Sequence, residues 1–126
     1  MSAEPTPPQS VEEQFRQLDE AVALSRVGGD FELLREVVGL FLDDYPQSLD
    51  KIRAAVAARD KSSVEHNAHS LKGSVSTFGA KGAFDAAFAL ERAGRTGDLT
   101  NADDSLRQLE QSLAALRPEL EAIQSR

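Results

Sequence analysis

The chain has 126 residues, 40% of them hydrophobic, no cysteine, and a formal net charge of −7 from 21 acidic and 14 basic side chains. That is the length of one domain, and it excludes disulfides and thiolate metal sites. The acidic balance speaks against nucleic acid or an anionic membrane as partner, because phosphates need a basic face. No apolar run approaches the roughly 20 residues of a spanning helix, and the start lacks the charged-then-apolar order of a secretory signal, so a cytoplasmic domain is expected.

Residues Met1 to Ser10 carry three prolines and no bulky apolar residue beyond the initiator, which predicts a disordered tail or linker ahead of a domain over 11–126. A short helix is predicted between Val11 and Val27, in one or two pieces, ended by Gly28-Gly29. Asp30 is a good N-cap for the next segment, where Phe31, Leu34, Val38, Phe41, Tyr45, Leu49, Ile52 and Val56 recur at steps of three and four. The stripe keeps its phase across Pro46, so a kinked long helix is expected, with a full break as the alternative. Asp60 reads as the N-cap of a third helix that stops at Gly79, and a fourth runs from about Ala80 to Arg95. Gly94 and Gly97 then loosen the chain, and Asp98 is placed to cap a last helix carrying Leu106, Leu109, Leu113, Leu116, Leu120 and Ile123 across Pro118. Strand periodicity is missing, so the expected class is all-α: an up-down four-helix bundle with an additional short N-terminal helix.

Both histidines of the chain, His66 and His69, fall in the third helix. At about 100° per residue, Val64, Ala68, Leu71, Val75 and Phe78 cluster within about 40° of the core direction. On the same wheel Lys72 lies roughly 80° away, His69 roughly 140°, Gly73 roughly 180° and His66 roughly 200°. His69 therefore points to solvent, with Lys72 at i+3 and Gly73 at i+4 as its surface neighbours. A neutral imidazole is a competent nucleophile. An ammonium one turn away offsets the two negative charges of a phosphoryl group, and a mid-helix glycine costs about 1 kcal/mol against alanine unless something must approach closely there. Ser74 falls at the edge of the core face and reads as packing.

The run AHSLKGS from Ala68 to Ser74, followed by Gly79-Ala80, resembles the signature of the histidine-containing phosphotransfer (HPt) domains of bacterial multistep phosphorelays. The flanks RVGGDFELLREVVGLFLDDYP and ALERAGRTGDL are similar to that family too, so the resemblance covers roughly residues 19 to 117. It implies that His69 accepts a phosphoryl group from the phospho-aspartate of one response-regulator receiver domain and passes it to another. It further implies that Lys72 neutralises the phosphate and that Gly73 clears room for the partner. Receiver domains and a hybrid sensor histidine kinase are the implied partners. No nucleotide-binding glycine loop is present in the sequence, so the chain reads as a carrier and not an enzyme. No cofactor is expected here, magnesium being expected in the receiver.

Glu65, His66 and Ser76 share the wet face as candidate receiver contacts. The His66/His69 pair offers two metal ligands without a third, and no metal is expected. In the fourth helix Glu91 falls inside an apolar arc with Ala80, Phe84, Ala87 and Phe88. Either it sits at the bundle edge reaching water or it holds something. The family's habit of placing a polar partner for the imidazole on this helix makes Glu91 the candidate acceptor for the histidine nitrogen that is not phosphorylated. Two rival readings remain: a helical adaptor that docks receivers without carrying phosphate, and a histidine-kinase dimerisation module. The latter forms dimers, whereas a monomer is expected here.

Overall fold

The computed structural model describes residues 16–126, so the expected tail and the segment from Val11 to Phe15 lie outside the described residues. Among the described residues there are five helices and no strand: α1 (Glu20–Arg26), α2 (Phe31–Ala57), α3 (Lys61–Ser76), α4 (Lys81–Thr96) and α5 (Ala102–Gln124). None is long and apolar enough to cross a membrane.

The first three helices start where a short carboxylate can take up an orphan amide. Asp19 accepts from the Val22 amide, Asp30 from Leu33 and Asp60 from Ser63, at 3.1, 3.1 and 3.2 Å. Helix α1 begins at Glu20, where the extended backbone of Asp19 serves as its cap, within the expected span; the Val11 end of that span lies outside the described residues. Gly28 and Gly29 both take positive φ, 65° and 79°, and turn the chain into α2.

Helix α2 runs through Pro46 without a break, which removes the broken-helix alternative. A proline there costs about 3 kcal/mol through the missing N–H and ring clash. What offsets it is burial on both sides of the proline: Leu34, Val38, Phe41, Tyr45, Leu49, Ile52, Ala55 and Val56 are all buried. Helix α5 crosses Pro118 in the same way, with Leu109, Leu113, Leu116, Leu120 and Ile123 buried along it.

Two expected boundaries move. Helix α3 ends at Ser76, three residues before Gly79, yet Phe78 beyond it stays buried, and its carbonyl accepts from the Asp19 amide at 2.9 Å. Asp98 does not cap α5. Its carboxylate instead accepts from the amide and hydroxyl of Thr100, at 3.1 and 2.6 Å, and folds the loop. Asn101 precedes α5 without a side-chain cap, while Asp103 and Asp104 face the positive end of the helix dipole.

Helix α2 packs on α3 and α5, and α4 packs on the same two, so the four long helices close around one core, with α1 against α2. Contacts between α2 and α5 pair Arg35 with Gln124, Tyr45 with Arg117 and Arg53 with Glu110, the order of an antiparallel pair. Phe41 stacks on Tyr45 and meets Phe78 edge-on, with ring centroids 5.2 and 5.1 Å apart, which locks α2 to the end of α3.

Candidate functional site

Gly94 does not loosen the chain, as its composition alone suggests; it sits buried inside α4 at the closest approach to α3. A Cβ there would stand 2.5 Å from the Glu65 amide nitrogen and 2.6 Å from the Lys61 carbonyl oxygen. Only the bare backbone of glycine lets the two antiparallel helices come this near. The register that follows sets Glu91, one turn before Gly94, under His69, one turn after Glu65.

Glu91 is the one charged side chain that is buried among the described residues, with 1% of its surface exposed. Three cationic or donor groups converge on it. The Nδ1 of His69 lies 3.1 Å from Oε2, Lys72 Nζ lies 2.7 Å from Oε1, and Arg95 Nη2 lies 2.9 Å from Oε2. Burial pushes the Glu91 carboxyl pKa up, but the hydrogen bonds from Lys72 and His69, with their charges, outweigh it and hold it below the ordinary value. An ionised carboxylate can only accept, so Nδ1 of His69 must carry the ring proton. That leaves the lone pair on Nε2 of a side chain that is 66% exposed.

The helical wheel sets Lys72 halfway between core and water, and its 21% side-chain exposure agrees. Its ammonium lies 4.9 Å from the Phe88 ring centroid and 5.9 Å from that of Phe84, an aromatic bed that favours a cation. Gly73 is exposed, and a Cβ added there would meet nothing within 4 Å. The fold itself therefore has no use for the absent side chain at this position, in contrast to Gly94.

Among the other expected residues, His66 is exposed and lines an open hollow with Ser62, Glu65, His69 and Arg95. Glu65 is engaged by Arg95, whose Nε donates to it at 2.9 Å. Ser76 donates to the Gly73 carbonyl at 2.7 Å. Ser74 is exposed, not packed, and bonds back to the Ser70 carbonyl beside a groove bordered by Val37, Leu40 and Phe41 of α2. No group of three or more metal-ligating side chains occurs among the described residues. Arg95 escaped the sequence reading, although its i, i+4 spacing from Glu91 is a recognisable helix pair.

The chain matches the Hpt domain family over residues 36–119. It belongs to that family. Its backbone is similar to that of histidine-containing phosphotransfer protein B (HptB) from Pseudomonas aeruginosa PAO1, with a TM-score of 0.81 at 28% sequence identity, over 87% of this chain and 96% of that one. No curated protein sequence matches the chain significantly. In this Hpt domain the matched span takes in all of α3 and α4, and with them His69, Lys72 and Arg95, which pair with Glu91.

Proposed function

We propose that this Hpt domain carries a phosphoryl group on Nε2 of His69, taking it from the phospho-aspartate of one receiver domain and giving it to the aspartate of another. The observation that carries the reading is the bond between exposed His69 and buried Glu91, which leaves one nitrogen of defined direction free to react. The Nε2 lone pair attacks phosphorus. The N–P bond forms as the P–O bond to the aspartyl carboxylate breaks, and the carboxylate leaves with the electron pair. The ring is then cationic, with its proton still on Nδ1 and the Glu91 charge beside it. In the return step the ring departs as neutral imidazole, so no proton needs to move in either direction.

Phosphoryl transfer depends mostly on positioning and charge, and this chain supplies an oriented nucleophile. Lys72 brings positive charge to the site, and open Gly73 is the place where the donor approaches. The receiver is taken to supply magnesium, with no cofactor bound by this chain. On this reading α2 to α5 form an up-down four-helix bundle within a domain spanning 11–126, preceded by a tail at 1–10. A cytoplasmic monomer served by a hybrid sensor histidine kinase and receiver domains, with Glu65, His66 and Ser76 near the docking surface, completes it.

The test is incubation with a phosphorylated receiver. The parent is expected to gain acid-labile, base-stable phosphate and His69→Gln none; labelling of His69→Gln equal to the parent contradicts the assignment. The adaptor reading predicts receiver binding with no transfer, and it leaves the His69–Glu91 contact without a purpose.

A further inference from the structure

We propose that Arg95, not Lys72, is the cation that meets the phosphoryl group on His69, and that Glu65 holds it in place while the histidine is empty. The proposal rests on the phosphoryl-carrier reading above. It assigns the direct contact to a residue outside the AHSLKGS run.

Lys72 is committed elsewhere. Its ammonium sits 2.7 Å from Oε1 and 3.3 Å from Oε2 of Glu91, on the faces of Phe84 and Phe88. Oε1 is buried and has no hydrogen bond of good geometry to take the place of that ion pair. Drawing Lys72 outward to a phosphate would leave a buried carboxylate oxygen unmet, which is among the costlier changes a protein can make. Its charge therefore acts through Glu91.

Arg95 is held more loosely. Its side chain is 57% exposed near the end of α4, and its Nε donates to Glu65, itself 37% exposed. An ion pair between such wet groups contributes little net stability. Its Nη2 shares Glu91 Oε2 with His69, so the guanidinium already stands against the same carboxylate atom as the reactive ring. Arg95, Glu65 and His69 line one open hollow, with Ser62 and His66 on its wall.

A phosphoryl group arriving on Nε2 brings about two negative charges and three acceptor oxygens, against one charge and two oxygens on Glu65. Guanidinium favours such a planar, doubly accepting partner. The Nε of Arg95 thus exchanges Glu65 for the phosphoryl group while Nη2 keeps Glu91. Glu65 turns to water, away from the incoming negative charge. Transfer itself is unchanged in its bonds: N–P forms, the aspartyl P–O breaks, and Arg95 stabilises charge on the phosphoryl oxygens as the group passes.

The experiment compares phosphoryl uptake from a phosphorylated receiver, and from phosphoramidate as a small donor, by the parent, Arg95→Gln, Glu65→Gln and Lys72→Gln. Melting temperatures establish that each is folded. Loss of a charged contact to the phosphoryl group predicts uptake by Arg95→Gln slowed about tenfold or more with both donors. Releasing Arg95 from its competitor predicts uptake by Glu65→Gln faster by about two- to threefold. The phosphorus-31 resonance of the phosphohistidine should shift in Arg95→Gln and stay near the parent's in Lys72→Gln. Parental uptake by Arg95→Gln, or no gain in Glu65→Gln, overturns the proposal while leaving the carrier reading intact. Should Arg95→Gln not fold, Glu65→Gln decides alone. A parent that takes up no phosphate from either donor overturns both.

Discussion

At the residue scale the site is a matter of which atom can hold a proton. Glu91 is kept ionised, so His69 is held in the Nδ1–H tautomer, which leaves the lone pair on Nε2 of a largely exposed side chain. Glu91→Gln retains an acceptor and Glu91→Ala does not. The charged hydrogen bond to the ring is worth roughly 1.5–3 kcal/mol, so phosphoryl uptake by the alanine variant is expected to fall about 10- to 100-fold in a transfer assay. The glutamine variant should lie between it and the parent. The same carboxyl gives a pH signature. Its folded pKa lies below the unfolded value, so the unfolded chain binds its proton first. The stability Glu91 contributes is full above the ordinary glutamate pKa of about 4.3 and is lost as pH falls from there through the lower folded value. Melting curves between neutral pH and about pH 3 are expected to drop less steeply for Glu91→Gln than for the parent.

At the element scale two glycines inside helices have opposite consequences. Gly94 lies against the Glu65 and Lys61 backbone, and an added methyl there overpacks α3 against α4 by about 1–3 kcal/mol, more than the helix propensity of alanine returns. Gly94→Ala should therefore melt lower and transfer more slowly, since it pushes Glu91 away from His69. Gly73 has open space around it, so Gly73→Ala should gain up to about 1 kcal/mol in denaturant unfolding yet transfer more slowly, because the methyl meets the donor. The sequence could not tell these glycines apart: Gly73 lay beside an exposed histidine on a predicted wheel, whereas the meaning of Gly94 depends on which backbone crosses it. The apolar stripes of α2 and α5 were legible because burial along both arms outweighs a single proline in each. The cap of α5 was not, since Asp98 had two backbone or side-chain donors within reach in its own loop, and local turn chemistry won. For the site, His69, Lys72, Gly73 and Glu91 share the short range of a helix face or an apolar arc. The bond from Arg95 to Glu65 crosses 30 residues and needed the packing of α3 on α4.

At the scale of the whole molecule the acidic balance of −7 contrasts with the cations Lys72, Arg92 and Arg95 gathered around Phe88, Glu91 and Glu65 where α3 meets α4. The net charge of −7 sets like copies of the chain against one another, which opposes self-association. Light scattering is expected to give the mass of a monomer, and an obligate dimer would favour the kinase-type module. The family match, the exposed histidine and the buried carboxylate all meet in one claim, that Nε2 of His69 is the atom that carries phosphate. The most direct measurement is nitrogen-15 and phosphorus-31 NMR of the histidine-labelled protein after phosphorylation by a phospho-receiver. The expected result is one phosphorylated ring, His69, bonded to phosphorus through Nε2 with the proton retained on Nδ1. Phosphorus on Nδ1 of His69, or on His66, would contradict it.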